Sequence, residues 1–344
     1  MAKFERIPWS YSEWEKTIGA FADRVVFQTP AWLSFLAETQ RGEIVIAALK
    51  EGNDTLGYFS GLVVRKFGLK ILGSPFRGWS TPYLGFNLRP DVPRRVAAGA
   101  LADFAFKELG CIHFEVTDSY MSAAEVAGLS LHHEMHPTME VDLTQSEEAL
   151  FNNMASACRR NIRHAEKAGV IIEEAHDLEF AEDYATQYVD VMAKQGMTPH
   201  FGADRFRAMI RHVQPTGMLL LLRARDTEGR CIATGIYPAV NQTTFYNNGA
   251  SWRQYQKLRP NELLHWHAMR YWKKRGLRTY NMEGIMDFKL KFGGRQTETA
   301  MVYQSRYRAL SSLRAAALPL GRAILRLAWK LKGTGGKKSS PPSD

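Results

Sequence analysis

The chain repeats one order of secondary-structure signals twice, and this internal repeat constrains the fold more than any other feature. The first copy has two apolar runs, residues 44–49 and 58–64, on either side of a charged turn. The second copy has the same arrangement in residues 218–222 and 231–237. In both copies a Leu-Arg-Pro sequence, a helix-like segment that ends in glycine and a further apolar run follow. The repeat predicts strand, turn, strand, crossing helix and strand in each half, with two similar clefts and an interface between them.

The order of these elements decides the expected fold class. Strand, turn, strand, loop, helix and strand form the core of the acetyltransferase-like (GNAT) α/β fold. We therefore expect an α/β protein with mixed (α+β) sheets and two tandem GNAT-like domains, at residues 1–142 and 143–305. Residues 306–344 are expected to form a basic amphipathic helix and a disordered tail.

The start of the crossing helix is the expected site of the acyl donor. In GNAT folds the donor's phosphates lie at a helix N-terminus, where free N–H groups and the helix dipole favour anions. In the second copy this place is Leu-Arg-Pro-Asn-Glu, so Arg259 and Asn261 are the predicted donor-binding residues, although the usual glycines are missing. In the first copy Asp91 follows Leu-Arg-Pro and would repel a phosphate. We therefore predict that the second half holds the donor.

Composition excludes several other classes of protein. Of the 344 residues, 45% are hydrophobic, which is enough for two domains of ordinary size. The three cysteines are widely spaced and form no Cys/His cluster, so neither a disulfide framework nor a metal site is expected. The N-terminus lacks a signal-peptide pattern, and no apolar run approaches the roughly 20 residues of a transmembrane helix. We expect a cytoplasmic protein without a metal.

Most of the positive charge lies in the C-terminal tail. The net charge is +10, and nine lysines and arginines with no acidic residue lie between Arg306 and Lys338. Apolar and basic residues there recur at helical spacing on two different faces: Leu320, Ile324, Leu327 and Leu331, and Arg322, Arg326 and Lys330. Such a helix either lies in an anionic membrane interface or packs on protein with its basic face in solvent. We predict a peripheral contact with the inner membrane and keep the second alternative open.

Four short motifs, in the right order, resemble those of the FemA/FemX-like (FemAB) family of transferases. They are the arginine-rich segment 157–170, the Asn-Asn-Gly-Ala-Ser segment 247–251, the Phe-Lys-x-x-Phe-Gly-Gly loop 288–294 and the Gln-x-x-x-Trp element 28–32. The resemblance covers about residues 20–305. It implies tandem GNAT-like domains that transfer an acyl or aminoacyl group to an amine. The implied co-substrate is acyl-CoA or aminoacyl-tRNA, with no tightly bound cofactor.

The resemblance also implies residues that bind the acceptor. Arg160 and Arg163 match positions that would bind a phosphate-bearing acceptor at the domain junction. Two arginines three apart share a helix face and can bind an anion together, although such residues also occur on a solvated basic helix face. Gln28 and Trp32 match the N-terminal element and complete the predicted substrate-binding set.

Lys289 and Glu283 are the predicted catalytic residues. Lys289 matches the lysine of the closing loop, where it can stabilise an oxyanion, although an ordinary loop lysine is the alternative. Glu283 lies at the end of the second-copy strand that follows the crossing helix, and it could accept a proton from the attacking amine. Asp287 is the alternative base.

We therefore expect an acyltransferase of the GNAT/FemAB-like type that acts on an amino group of a cell-envelope or polysaccharide precursor. It would act as a monomer, and its basic tail would hold it at the membrane. Two alternatives stay open. One is an acyl-CoA-dependent N-acetyltransferase that acts on a small amine or a nucleotide sugar. The other is a non-catalytic module that docks a biosynthetic complex to the membrane.

Overall fold

A computed structural model describes residues 1–307 of the chain. Apart from Arg306 and Tyr307, the predicted basic helix and tail therefore lie outside the described residues. Within residues 1–307, fourteen strands form one continuous mixed sheet with ten α-helices around it.

The strands follow the order of the predicted apolar runs. In chain order they are β1 (Lys3–Ile7), β2 (Glu43–Glu51), β3 (Asp54–Lys66), β4 (Leu69–Ser74), β5 (Gly85–Leu88), β6 (His113–Thr117), β7 (His132–Asp142), β8 (Ile171–Glu174), β9 (Leu219–Arg225), β10 (Cys231–Val240), β11 (Thr243–Phe245), β12 (Asn248–Ser251), β13 (Thr279–Asn281) and β14 (Arg295–Ser305). The helices are α1 (Tyr11–Gly19), α2 (Pro30–Gln40), α3 (Arg94–Asp103), α4 (Ala123–Val126), α5 (Glu147–Asn153), α6 (Ser156–Lys167), α7 (Phe180–Lys194), α8 (Ala203–Val213), α9 (Pro260–Lys274) and α10 (Asp287–Leu290).

The sheet has the same order of strands from each of its two edges inward. It begins β1-β2-β3-β4-β6 at one edge and β8-β9-β10-β11-β13 at the other, with β5 on β3 and β12 on β10. In each half one pair is parallel, β4 with β6 and β11 with β13. The repeat in the sequence is therefore a repeat of structure.

The two halves exchange their last strands at the centre of the sheet. β14, from the end of the second copy, pairs with β6 and β7, and β7 from the first copy pairs with β13. All three pairings are antiparallel. Each half therefore completes the sheet of the other, which joins the two copies into one body. The division into domains at residue 142 stays a prediction, since β7 and β14 belong to both.

Three apolar cores hold the helices on the sheet. One spans both halves, because α1 and α2 of the first copy meet α7 and α8 of the second, and Trp14, Trp32 and Tyr184 are fully buried there. The second core lies beneath α6 and α9, and the third beneath α3. The crossing helices are followed by Gly110 and Gly276, whose φ angles of 66° and 86° are left-handed and suit glycine.

Candidate active site

A cleft opens in the second half where β12 separates from β13. Up to Phe245, β11 pairs with β13, and the Tyr246 N–H still donates to the Asn281 carbonyl at 2.8 Å. The chain then turns toward β10, since the Asn247 N–H donates to the Ile236 carbonyl and β12 pairs with β10. The other edge of β12 faces the opening, and no side chain in residues 1–307 accepts a hydrogen bond from its amides. Such an edge can pair with an extended, amide-containing ligand.

Glu283 and Lys289 lie together at the apex of this cleft. Glu283 follows β13 by two residues and has a left-handed backbone with φ of 50°, and its N–H donates to Asn281 Oδ1 at 2.8 Å. Lys289, on the short helix α10, is only 9% exposed. Its Nζ donates to the backbone carbonyl of Glu283 and lies 5.5 Å from the centre of the Tyr246 ring. The structure therefore brings the two predicted catalytic residues together.

Burial shifts the pKa values of these two side chains in opposite directions. It raises the pKa of Glu283 from 4.5 to about 8, although the nearby Lys289 ammonium acts against this shift. It lowers the pKa of Lys289, against the effect of the Glu283 carboxylate. A carboxyl group that titrates near neutral pH suits a general base, and a desolvated ammonium suits the stabilisation of an oxyanion.

A buried histidine supports the loop that carries Lys289. The His265 ring packs against Tyr246, Phe288 and Phe292, and its Nδ1 lies 2.6 Å from the hydroxyl of Tyr280. Burial lowers the pKa of His265 to about 3, so the ring is neutral at physiological pH. The structure therefore gives this histidine a packing role.

Asn247 connects the cleft to the first half of the molecule, a role that the sequence did not predict. Its Nδ2 donates to the carbonyl of Ser80 at 3.1 Å and lies 3.4 Å from Oε1 of Glu283. The Asn-Asn-Gly segment was visible as a motif, but its contact with a loop 167 residues away was not.

A cavity of about 500 Å³ adjoins Glu283 on the side of the first half. The loop between β4 and β5, the seam of β7 and β14 and the turn after Glu283 line it. Phe76, Tyr83 and Ile285 give it apolar walls, and Arg77 is among its polar residues. A cavity of this size accommodates a small ligand or the end of a larger one.

Gln28 and Trp32 support this cavity from within the core. Both are fully buried. Gln28 Nε2 donates to the carbonyls of Leu84 and Phe86 at 2.7 and 3.1 Å, and its Oε1 accepts two further hydrogen bonds from the protein. Trp32 Nε1 donates to Oγ1 of Thr81, which lines the cavity, at 3.1 Å. Because neither side chain has free surface in this structure, both hold the cavity wall from inside the core, and their direct contact with substrate stays a prediction.

The predicted donor-binding residues lie at the other end of the cleft. α9 begins directly after Arg259, which is exposed and has φ of 58°. Asn261 Nδ2 donates to Oγ of Ser251, the last residue of β12, at 3.1 Å. Glu262, in the first turn, is buried, and its Oε1 lies 2.5 Å from Nζ of Lys291. Because Lys291 neutralises that carboxylate, the helix start can still attract a phosphate.

Arg160 and Arg163 lie on the same side of the molecule as the predicted donor-binding residues. They occupy the exposed face of α6, which packs on α9 and on the turn before it, where His164 Nε2 lies 3.1 Å from the carbonyl of Lys257. The guanidinium of Arg163 lies 5.2 Å from the centre of the Phe151 ring. Neither arginine lines the cavity beside Glu283. This placement favours contact with the donor over the acceptor role that the resemblance implied.

Five exposed cations form what we call the basic patch. They are Arg160, Lys167, Arg253, Lys257 and Arg259. Within the described residues, none of the five has an acidic partner within 4.0 Å. Unpaired cations around a helix start provide a surface for a ligand with several phosphates.

The equivalent cleft in the first half is closed by carboxylates. Asp118, which is fully buried, accepts a hydrogen bond from the Phe86 N–H at 2.8 Å, and Asp23 accepts one from the Leu88 N–H at 2.9 Å. Arg94, at the start of α3, pairs with both carboxylates. The strand edge that is open in β12 is therefore occupied in β5. This difference supports the prediction that only the second half takes a donor.

In residues 1–307 no three His, Cys, Asp or Glu side chains gather where they could hold a metal ion. The same residues include no helix with the length and hydropathy needed to cross a bilayer. Burial raises the pKa of Cys111 to about 11 and that of Cys158 to about 12, so both thiols are poor nucleophiles at neutral pH.

Comparisons with known proteins agree with this architecture. Residues 152–291 match a family model described as an acetyltransferase (GNAT) domain. FemX is 15% identical, with a TM-score of 0.71 over 90% of this chain and 99% of FemX. A tandem GNAT protein from the clavulanic acid biosynthesis pathway is 11% identical, with a TM-score of 0.53 over 89% of this chain and 99% of its own.

A further similar structure is the C-terminal domain of a putative lysylphosphatidylglycerol synthetase from Agrobacterium fabrum. It is 12% identical, with a TM-score of 0.54 over 92% of this chain and 97% of that domain. A search of curated protein sequences finds no match.

The predicted fold class and enzyme class are confirmed by these findings. The match of residues 152–291 to an acetyltransferase model supports an acyltransferase, and the structural neighbours include a tandem GNAT protein. The likeness to FemX extends over 90% of the chain, as the four motifs indicated. The chain is a tandem GNAT-fold acyltransferase with the FemX-like architecture that its motifs predicted.

Proposed function

We propose that the protein transfers an acyl or aminoacyl group from a phosphate-bearing donor to an amine of a cell-envelope or polysaccharide precursor. The donor would lie along the open edge of β12, with its phosphates at the start of α9 and on the basic patch. The amine would approach from the cavity. The observation that supports this most strongly is the position of Glu283, whose carboxyl group lies where cleft and cavity meet.

The reaction needs only positioning, one proton transfer and the stabilisation of one oxyanion. The amine nitrogen attacks the carbonyl carbon of the thioester or ester, and the Glu283 carboxylate takes a proton from it. Negative charge develops on the carbonyl oxygen, where the Lys289 ammonium stabilises it. Collapse of the tetrahedral intermediate expels the thiolate or alkoxide, which takes up the proton.

Two donor classes are compatible with the site, and each has an observation in its favour. The match to the acetyltransferase model favours acyl-CoA. The number of unpaired cations in the basic patch, which lie on α6 and in the turn before α9, favours a larger polyanion such as aminoacyl-tRNA. The acceptor class is supported by FemX-like architecture and by the fold shared with a putative lysylphosphatidylglycerol synthetase, whose name indicates an aminoacylated membrane lipid.

The function is tested by incubating the full-length protein with radiolabelled acyl-CoA or charged tRNA and a panel of amine-bearing precursors. Transfer of label to an amine, abolished when the amine is acetylated beforehand, is the expected result. Hydrolysis of both donors at the background rate with every acceptor would support the non-catalytic alternative.

Filling the cavity should weaken acceptor binding selectively. Ile285 is a partly buried wall residue, so the indole of an Ile285→Trp variant would occupy space beside Glu283. We expect KM for the amine to rise at least about tenfold, while the donor affinity stays within about twofold. Ile285→Val, which removes one methylene group, is the matched control and should stay near wild type. Equal loss of donor and acceptor binding would place the acceptor elsewhere.

Removing charge from the basic patch should weaken donor binding. We expect the Arg160→Ala, Lys257→Ala double variant to lower donor affinity about tenfold at low salt and less at high salt, because exposed charge pairs are screened. The control is Lys16→Ala, an exposed lysine on α1 in the other half. Titrations of acetyl-CoA and tRNA at several salt concentrations measure the effect. If the double variant lost affinity only for the acceptor, Arg160 would have the acceptor-binding role that the resemblance implied.

A further inference from the structure

The hairpin between β3 and β4 presents an aromatic ring entirely to solvent. Lys66 pairs with Leu69, so Phe67 and Gly68 form a two-residue turn with φ angles of 52° and 76°. Phe67 is 102% exposed and Leu69 is 46% exposed. Two positive φ values are typical of a type I′ turn, which normally takes Asn-Gly or Gly-Gly. A phenylalanine there has an unfavourable backbone and gains no burial within residues 1–307.

Cations surround this ring. Arg65 and Lys66 are exposed on its N-terminal side, and Lys70 follows on its C-terminal side. Neither Arg65 nor Lys66 has an acidic partner within 4.0 Å among the described residues. Lys70 Nζ lies 3.4 Å from the backbone carbonyl of Leu109, a neutral group that leaves its charge in place.

The described chain ends at the same end of the strands as this hairpin. The Ile112 N–H donates to the carbonyl of Lys70 at 2.9 Å, and the Arg306 N–H donates to the carbonyl of Ile112 at 2.8 Å. Two successive backbone hydrogen bonds, both made by Ile112, therefore connect Lys70 at the base of the hairpin to Arg306 at the start of the tail. The tail that leaves here carries nine basic and no acidic residues between Arg306 and Lys338.

Acidic side chains at this end are few and are partly neutralised. Glu43, at the start of β2, pairs with Arg6, and Asp103 pairs with Lys107 at 2.9 Å. Glu108 is exposed at the end of the turn that extends α3. Against these stand the hairpin cations and Arg306, so the described part of this end of the sheet is positive.

We propose that the hairpin 65–70 inserts Phe67 into the interface of an anionic membrane, beside the point where the basic tail leaves the sheet. An anionic membrane interface binds aromatic rings at the level of the headgroups, and it also attracts lysines and arginines around them. One ring and a few cations give a weak, reversible contact, and the basic tail adds the second attraction that stable attachment needs. This surface is separate from the cleft, and the proposal does not depend on the transferase function.

The test uses the full-length protein and vesicles of phosphatidylcholine with or without 30% phosphatidylglycerol, a composition chosen for the assay. We expect binding to the anionic vesicles alone, and Phe67→Ser should weaken it about tenfold by withdrawing one aromatic ring from the interface. The matched control is Ile171→Ser, which removes a 66% exposed apolar residue from β8, the edge strand of the other half, and should leave vesicle binding unchanged. Because Phe67 and Ile171 are both largely exposed, both variants should melt at the wild-type temperature.

A second readout reports the position of the ring directly. An environment-sensitive dye on a Phe67→Cys variant should shift to the blue on addition of anionic vesicles, whereas the same dye on Ile171→Cys should not. Equal vesicle binding of Phe67→Ser and wild type, without a blue shift, would overturn the proposal and leave any attachment to the tail. A dye already shielded in the absence of vesicles would also overturn it, since another part of the chain would then cover the hairpin.

Discussion

Replacing Lys289 with alanine should lower kcat about 100- to 1,000-fold, the usual effect of removing one group that stabilises an oxyanion. The lysine is buried at the apex of the cleft, and its Nζ is held by the Glu283 carbonyl. A second effect should accompany the loss of rate. The Lys289 ammonium lowers the pKa of Glu283, so the alanine variant should reach its maximal rate at a higher pH than wild type. Steady-state kinetics from pH 6 to 10 measure both quantities.

The matched control is Lys273→Ala. That lysine also donates to a backbone carbonyl, that of Leu143, at 2.9 Å, and it lies at the far end of α9 from the cleft. Its loss should affect stability and leave kcat within about twofold. Near-normal kcat in Lys289→Ala, with a folded protein, would remove Lys289 from the mechanism.

Glu283→Gln should lower kcat/KM by about two to four orders of magnitude, the range typical of a positioned general base. In wild type the base acts as the carboxylate, and burial raises its pKa to about 8. The rate should therefore rise with pH up to about 8 and then level off. The glutamine variant should have no such rise.

The Glu283→Gln variant should be more stable than wild type, although its activity is lower. The folded-state pKa of Glu283 lies above its unfolded value of 4.5, so the folded protein holds an extra proton between these values. Wild type therefore loses stability as pH rises from 4.5 through about 8, because a buried carboxylate forms. Glu283→Gln has no charge to bury, so its melting temperature should exceed that of wild type increasingly across this range. A rate profile unchanged by the substitution would assign the base to another group, with Asp287 as the next candidate.

The sequence predicted the fold well because the pattern that defines each half is local. Apolar runs, charged turns and glycines after the crossing helices lie close together along the chain, and their repetition reveals the duplication. The exchange of β7 and β14 could not be found in this way. Which strands pair at the centre depends on contacts between residues more than 130 positions apart, such as Glu140 with Arg295. Periodicity within a strand does not encode such contacts.

The geometry of the candidate site could be predicted only in part, for the same physical reason. Lys289 and Glu283 were proposed as catalytic residues because one lies in a motif and the other at a strand end, and the structure brings them together. The cavity was missed, since it forms only when the loop after β4 meets the turn after β13. The burial of Gln28 was not foreseen, because nothing in the sequence shows that four protein groups satisfy its amide. The donor-side position of Arg160 depends on the packing of α6 against α9.

The central claim, that the donor binds only in the second half, is tested most directly by a pair of matched arginines. Arg259 and Arg89 occupy the same Leu-Arg-Pro position in the two copies. Arg89 is bound by Asp54 and Asp91 at 2.9 and 3.0 Å, whereas Arg259 is exposed before α9. Titration of the full-length protein with acetyl-CoA, a longer acyl-CoA and charged tRNA should show saturable binding of at least one donor, weakened by Arg259→Ala and unchanged by Arg89→Ala. Binding that is weakened by Arg89→Ala and not by Arg259→Ala, or no binding of any donor, would contradict the account.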